Sequence, residues 1–166
     1  MTNPRRNIIA LAAGVAAIFI FLNYYGGEKA RIKKQFSRLE DCFHKERGEA
    51  LLSTGLKMRS LQGFIAPQCE VQVLEAMMSG IFTPAESAAN AMRVREIFSE
   101  LSLRFYNLDI ESPQKDEARV SFKVRLTGKN SRDELFNEIR QFQCVMRKID
   151  GQWLFSRCEE VETLKK

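Results

Sequence analysis

Four side chains in this sequence have the chemistry to move a proton. Asp41 and His44 stand three residues apart, a spacing that puts a carboxylate and an imidazole on adjacent turns of a helix, where they can share a proton. Tyr106 and Asp109 lie together further along, and a tyrosine hydroxyl can donate to a developing oxyanion. Each also has a plainer reading. Asp41 and His44 flank the core-facing Phe43 and read as solvated helix residues. Tyr106 reads as a sheet residue with its hydroxyl at the rim. Acid–base catalysis needs two titratable groups whose surroundings push their pKa values apart, and none of the four is clearly placed on an apolar face. His44 is the one histidine, and Cys42, Cys69, Cys144 and Cys158 form no C-x-x-C pair. A metal would have to collect ligands from distant segments, so neither metal nor cofactor is expected.

The elements that must position these groups follow from periodicity. Ile32, Phe36, Leu39 and Phe43 mark one face of a helix from about Glu28 to Gly48. Leu51, Thr54, Met58, Leu61 and Ile65 predict a second helix, stopped at Pro67. Cys69, Val71 and Val73 alternate with polar residues as a short strand, and residues 76–82 read as a loop. Thr83-Pro84-Ala85-Glu86 has the signature of a capping box, opening a third helix with Val94, Ile97, Phe98 and Leu101 on one face.

Alternation then takes over. A strand is expected over residues 105–110. Val120, Phe122, Val124 and Leu126 alternate with Ser121, Lys123, Arg125 and Thr127, as in a half-buried antiparallel strand. Residues 128–132 read as a polar loop. Asp150-Gly151 predicts a tight hairpin that pairs Ile149 with Gln152 and sets Met146 opposite Phe155. In that register Cys144 faces Arg157 and lies on the other face from Cys158. A disulfide between them would need a bulge to shift one strand. Buried free cysteines are the default, although an exported domain permits disulfides.

Residues 8–22 carry no charged or strongly polar side chain, Asn23, Tyr24 and Tyr25 follow, and Arg5 and Arg6 precede. A spanning helix needs about 20 apolar residues, with roughly 17 as the floor. Residues 8–25 meet that floor if the tyrosines sit at headgroup depth. A cleaved signal peptide would need small residues at its end, where this run has bulky ones. A buried core helix would show a polar face, and this run has none. The expectation is a single-pass anchor in the inner (plasma) membrane, contacting lipid through residues 8–25. Residues 1–27 form tail and anchor, and residues 28–166 one domain. Arg5 and Arg6 place the amino terminus inside and the domain outside the cytoplasm. Lys29, Arg31, Lys33 and Lys34 pull the other way by the positive-inside rule. The net charge of +5 is spread among acidic residues without the basic, aromatic stripe that nucleic-acid binding requires.

The closing hairpin, Val145-Met-Arg-Lys-Ile-Asp-Gly-Gln-Trp-Leu-Phe, resembles that of the nuclear transport factor 2-like (SnoaL-like) superfamily, and the element order from about Lys29 to Leu164 is similar to that family's. The resemblance implies a cone-shaped α+β domain, with helices packed on a curved antiparallel sheet that often encloses a pocket. Such domains include isomerases, dehydratases, cyclases and epoxide hydrolases as well as non-catalytic binding domains, so the fold does not choose a function. On the inward face, Phe122, Val124, Phe142, Met146, Trp153 and Phe155 are expected to line or fill the cone. Three functions follow in order: a membrane-anchored, non-catalytic binding or assembly module; a pocket for a small apolar ligand; and an enzyme. The first has the architecture of assembly subunits of type IV secretion systems, with a protein partner or homodimer contact through the sheet. A large open apolar cavity would favour the second.

Overall fold

The structure, a computed structural model, describes residues 27–74 and 78–161. The expected anchor lies outside these residues. Among the described residues, no helix is long and apolar enough to cross a membrane. The chain divides into two compact units, Met1–Lys34 and Gln35–Lys166. In the described part of the first, helix α1 (residues 27–43) begins, and Arg31 pairs with Glu28 at 3.3 Å.

The second unit holds the rest of α1, helices α2 (Leu51–Gln62) and α3 (Pro84–Ile97), and six strands: β1 (Ile65–Val73), β2 (Met78–Phe82), β3 (Phe98–Gln114), β4 (Glu117–Asn130), β5 (Leu135–Ile149) and β6 (Gln152–Glu160). The strands form one sheet in the order β2-β1-β6-β5-β4-β3. Every neighbouring pair is antiparallel except β1 and β6, so the sheet is mixed, where the sequence predicted antiparallel pairing throughout. The β3–β4 register slips at three places, and bulges of this kind bend long strands and increase their twist. The result is an α+β unit with helices packed on a curved sheet.

On β4, buried Ala118, Val120 and Phe122 alternate with Arg119, Ser121 and Lys123, and on β5 Cys144 and Met146 are buried. This apolar face receives the part of α1 from Gln35 onward. Phe36 is 2% exposed, and its ring meets Phe105, Phe122 and Phe155 at 5.0, 5.0 and 5.2 Å between centroids, each edge-on. Edge-to-face geometry sets the positive rim of one ring against the negative face of the next. Gln35 Nε2 donates to the carbonyl of Trp153 at 3.2 Å. The backbone N–H of Phe105 donates to Glu40 Oε1 at 2.7 Å.

The capping box forms as read: Thr83 Oγ1 accepts from the Glu86 N–H, and Glu86 Oε2 accepts from the Thr83 N–H at 2.8 Å. Those hydrogen bonds hold the exposed Glu86 carboxyl below the ordinary carboxylate value. The buried face of α3 differs from the expected one. Phe98 already belongs to β3, Val94 and Ile97 are exposed, and Ala88, Ala91 and Arg95 are the buried residues. Arg95 is drawn inward by partners distant in sequence. Its Nη2 reaches Glu49 Oε2 at 2.8 Å, and its Nη1 donates to the carbonyls of Cys42 (2.8 Å) and His44 (3.1 Å). Lys57 adds a second cation on Glu49, at 3.2 Å. Lys45 Nζ donates to the carbonyls of Arg95 and Phe98 at 2.8 and 2.7 Å, where α3 ends. Burial pushes the Glu49 carboxyl up, but Lys57 and Arg95 outweigh it and leave it below its ordinary value.

Other boundaries moved for identifiable reasons. Pro67 does not stop α2, which ends at Gln62; it sits inside β1. Residues 78–82, read as a loop, are edge strand β2, pairing Cys69 with Phe82 and Val73 with Met78. β4 runs through Asn130, so the loop expected at residues 128–132 is only the turn beyond it. There Gly128 is obligatory: a Cβ would stand 2.7 Å from the Glu100 carbonyl oxygen and 2.8 Å from the Phe98 ring. The Asp150-Gly151 turn has positive φ at both residues (50° and 78°), the primed geometry that matches strand twist. Ile149 pairs with Gln152 and Met146 with Phe155 as predicted.

Beyond that point the register changes. Val145 pairs with Arg157 and Cys144 with Cys158, which leaves Ser156 as the extra residue of a bulge. Its hydroxyl donates to the Val145 carbonyl at 2.9 Å. The shift puts both cysteines on one face, where they form a disulfide with Cα atoms 4.2 Å apart. Cys42 and Cys69 are free and buried.

Candidate functional site

Between α1, α3 and the concave face of the sheet lies an open cavity of about 520 Å³. Its walls are aromatic and aliphatic. Phe36, Leu39 and Phe43 come from α1, Leu103 and Phe105 from β3, Phe122 and Val124 from β4, Phe142 and Cys144 from β5, and Phe155 and Cys158 from β6. Val71 and Cys69 of β1 and Phe82 of β2 complete one side. The stripe Phe36, Leu39, Phe43 repeats at helical spacing, which is why one face of α1 supplies three wall residues. The Phe122 and Phe142 rings stack at 6.1 Å on neighbouring strands, and the Cys144–Cys158 disulfide is part of the wall.

Polar groups in the lining are few, and three of them come from one element: Ser87, Asn90 and Arg93 of α3. The fourth is the Cys69 thiol. Burial, with Glu70 nearby, pushes it up to about 11, so it stays protonated and unreactive at neutral pH. None of the residues lining this cavity is histidine, lysine, aspartate or glutamate.

Of the six residues expected to line the cone, Phe122, Val124, Phe142 and Phe155 do so. Met146 and Trp153 do not; they are packed within the core, 0% and 3% exposed. The four proton-moving candidates are not brought together. Asp41 is exposed, beside a separate depression of about 380 Å³ shared with Cys42 and Lys57. His44 lies just past the end of α1, half-exposed, and its Nε2 is 3.5 Å from Glu46 Oε1, so its carboxylate neighbour is not Asp41. Tyr106 is 43% exposed, with the Arg125 guanidinium 5.5 Å over its ring. Asp109 is exposed and pairs in register with Ser121. A further depression of about 580 Å³ surrounds His44, Glu100 and Lys129. Its charges already engage one another: Lys129 and Arg47 lie 3.3 and 3.4 Å from Glu100.

Sequence reasoning places Val94 on the inward face of α3, and Val94 does line the cavity, but it misses Ser87, Asn90 and Arg93 beside it. The signal is present in the spacing of Ser87, Asn90 and Ala91, a small-and-polar strip on one helix face.

No protein-family model matches the chain, and no curated protein does. Solved structures do. The chain is similar to the Kfla4162 protein from Kribbella flavida (TM-score 0.68, 11% identity, 86% of this chain and 95% of that one). It is similar to the hexachlorocyclohexane dehydrochlorinase LinA type 2 (TM-score 0.64, 16% identity, 81% and 84%). It is also similar to a protein of unknown function with a cystatin-like fold from Nostoc punctiforme (TM-score 0.59, 16% identity, 80% and 88%). The likeness is one of fold: an α+β unit with helices packed on a curved sheet, as in the protein with the cystatin-like fold. The neighbours include both an enzyme and a protein without assigned activity, and at these identities the likeness concerns the fold alone.

Proposed function

We propose that this protein is a non-catalytic binding module that takes a small, largely apolar ligand into the cavity, held at the membrane by residues 8–25. The observation that carries the reading is the lining: about 520 Å³ of open space walled by phenylalanine, leucine and valine. Ligand sites typically enclose roughly 300–1,000 Å³ with a few placed polar groups. A filled cone would have favoured the assembly role; an open apolar one favours a ligand. Acid–base chemistry on that ligand would need a titratable pair inside, and the lining offers a single guanidinium and a protonated thiol.

An apolar ligand at about a hundred times its dissociation constant should stabilise the fold by about 2.7 kcal/mol, read as a rise in melting temperature. Val124→Trp, which puts an indole into the cavity, should remove that rise. A melting temperature indifferent to apolar ligands in the unaltered protein would refute the binding role. The anchor has its own check: alkaline carbonate should leave the full-length chain in the membrane pellet, and its release to the supernatant would exclude a spanning segment.

A further inference from the structure

We infer that the ligand is a single-chain amphiphile whose apolar tail fills the cavity and whose anionic head is held at α3 by Arg93 and Asn90. This rests on the binding role proposed above and names the chemical class of its ligand. Arg93 is the one charged residue in the described lining. It is exposed, and its Nη1 donates to Asn90 Oδ1 at 3.2 Å. Among the described residues it has no carboxylate partner. Three arginines of the strands are matched instead: Arg104 with Glu40 at 3.1 Å, Arg119 with Glu117 at 3.8 Å, Arg157 with Glu70 at 2.6 Å. Arg125 and Arg147 also lack a carboxylate among the described residues, but they lie outside the cavity lining.

An uncompensated guanidinium at the edge of an apolar cavity keeps a fork of N–H donors for a planar or tetrahedral anion. Asn90 is half-buried. With its Oδ1 accepting from Arg93, its amide N–H groups have no partner among the described residues and can donate to the same head. A wholly apolar ligand would leave both groups unused and would have to desolvate them in part. The carboxylate of a fatty acid and the phosphate of a lipid monoester share the required chemistry.

Equilibrium dialysis of labelled decanoate, decyl phosphate and decanol against the full chain in lipid nanodiscs, with empty nanodiscs subtracted, tests this. At least one anion should bind about tenfold more tightly than decanol. Arg93→Met should abolish that preference, Arg93→Lys should keep part of it, and Arg132→Met, a charge change away from the cavity, should keep all of it. Circular dichroism establishes that each variant is folded. Decanol binding as tightly as both anions overturns the inference and leaves the cavity role standing. So does a preference that survives Arg93→Met, or one lost equally in Arg132→Met. Failure of all three molecules to bind overturns both.

Discussion

Arg95→Met should lower unfolding free energy by about 3–5 kcal/mol, the usual consequence of stranding one member of a buried ion pair. Three hydrogen bonds go with the guanidinium: one to Glu49 and two to the carbonyls of Cys42 and His44. Lys57 remains on Glu49, which places the loss toward the lower end. Adding Glu49→Gln should recover part of it, because the orphaned charge disappears, and urea denaturation of the single and double variants measures the coupling. A loss below about 1 kcal/mol in the single variant would mean that the pair is no more than a surface contact. The pH dependence has a fixed sign. Glu49 is held below its ordinary value of 4.5, so its contribution is fully present above that value and disappears as the pH falls through the lower folded one. The gap between the parent and Arg95→Met should therefore narrow on acidification.

Phe36→Ala should cost a similar 3–5 kcal/mol, because it deletes a buried ring and leaves a void that the surroundings fill only in part. The edge-on contacts to Phe105, Phe122 and Phe155 are lost together. Phe36 also lines the cavity, so the void would open into it. The variant should melt lower yet accept bulkier apolar ligands, and a melting temperature equal to the parent's would mean that α1 does not anchor the core.

Where local chemistry decided the structure, the sequence was readable. The capping box at Thr83 and the Asp150-Gly151 hairpin are specified by residues within four positions of one another, and both formed as read. The β4 parity was equally local. The failures involve partners distant along the chain. Arg95 is buried and Val94 is not because Glu49 and two carbonyls wait on the inner side; a hydrophobicity pattern has no term for them. β2 exists because Cys69 to Val73 offers it an edge, and β1 absorbs Pro67 in spite of the missing N–H. The disulfide was excluded by parity and readmitted by a single extra residue, Ser156, whose bulge no local rule announced. In the site, the aromatic walls were legible as alternation. The polar strip of α3 was not, because an apolar periodicity does not register the polar residues beside Val94.

The parallel pairing of β1 with β6 has a consequence for how this chain is made. β1 lies between β2 and β6 in the sheet, yet β6 is the last described strand to be synthesised. Until residues 152–160 emerge from the ribosome, the β1–β2 hairpin presents a bare edge, and the cavity lacks the wall that Phe155 and Cys158 supply. Closing contacts of such sequence separation are slow to form, and an unpaired edge is the usual target for misassociation in the meantime. The concave pocket therefore lacks one of its walls until β6, the last described strand, has been made.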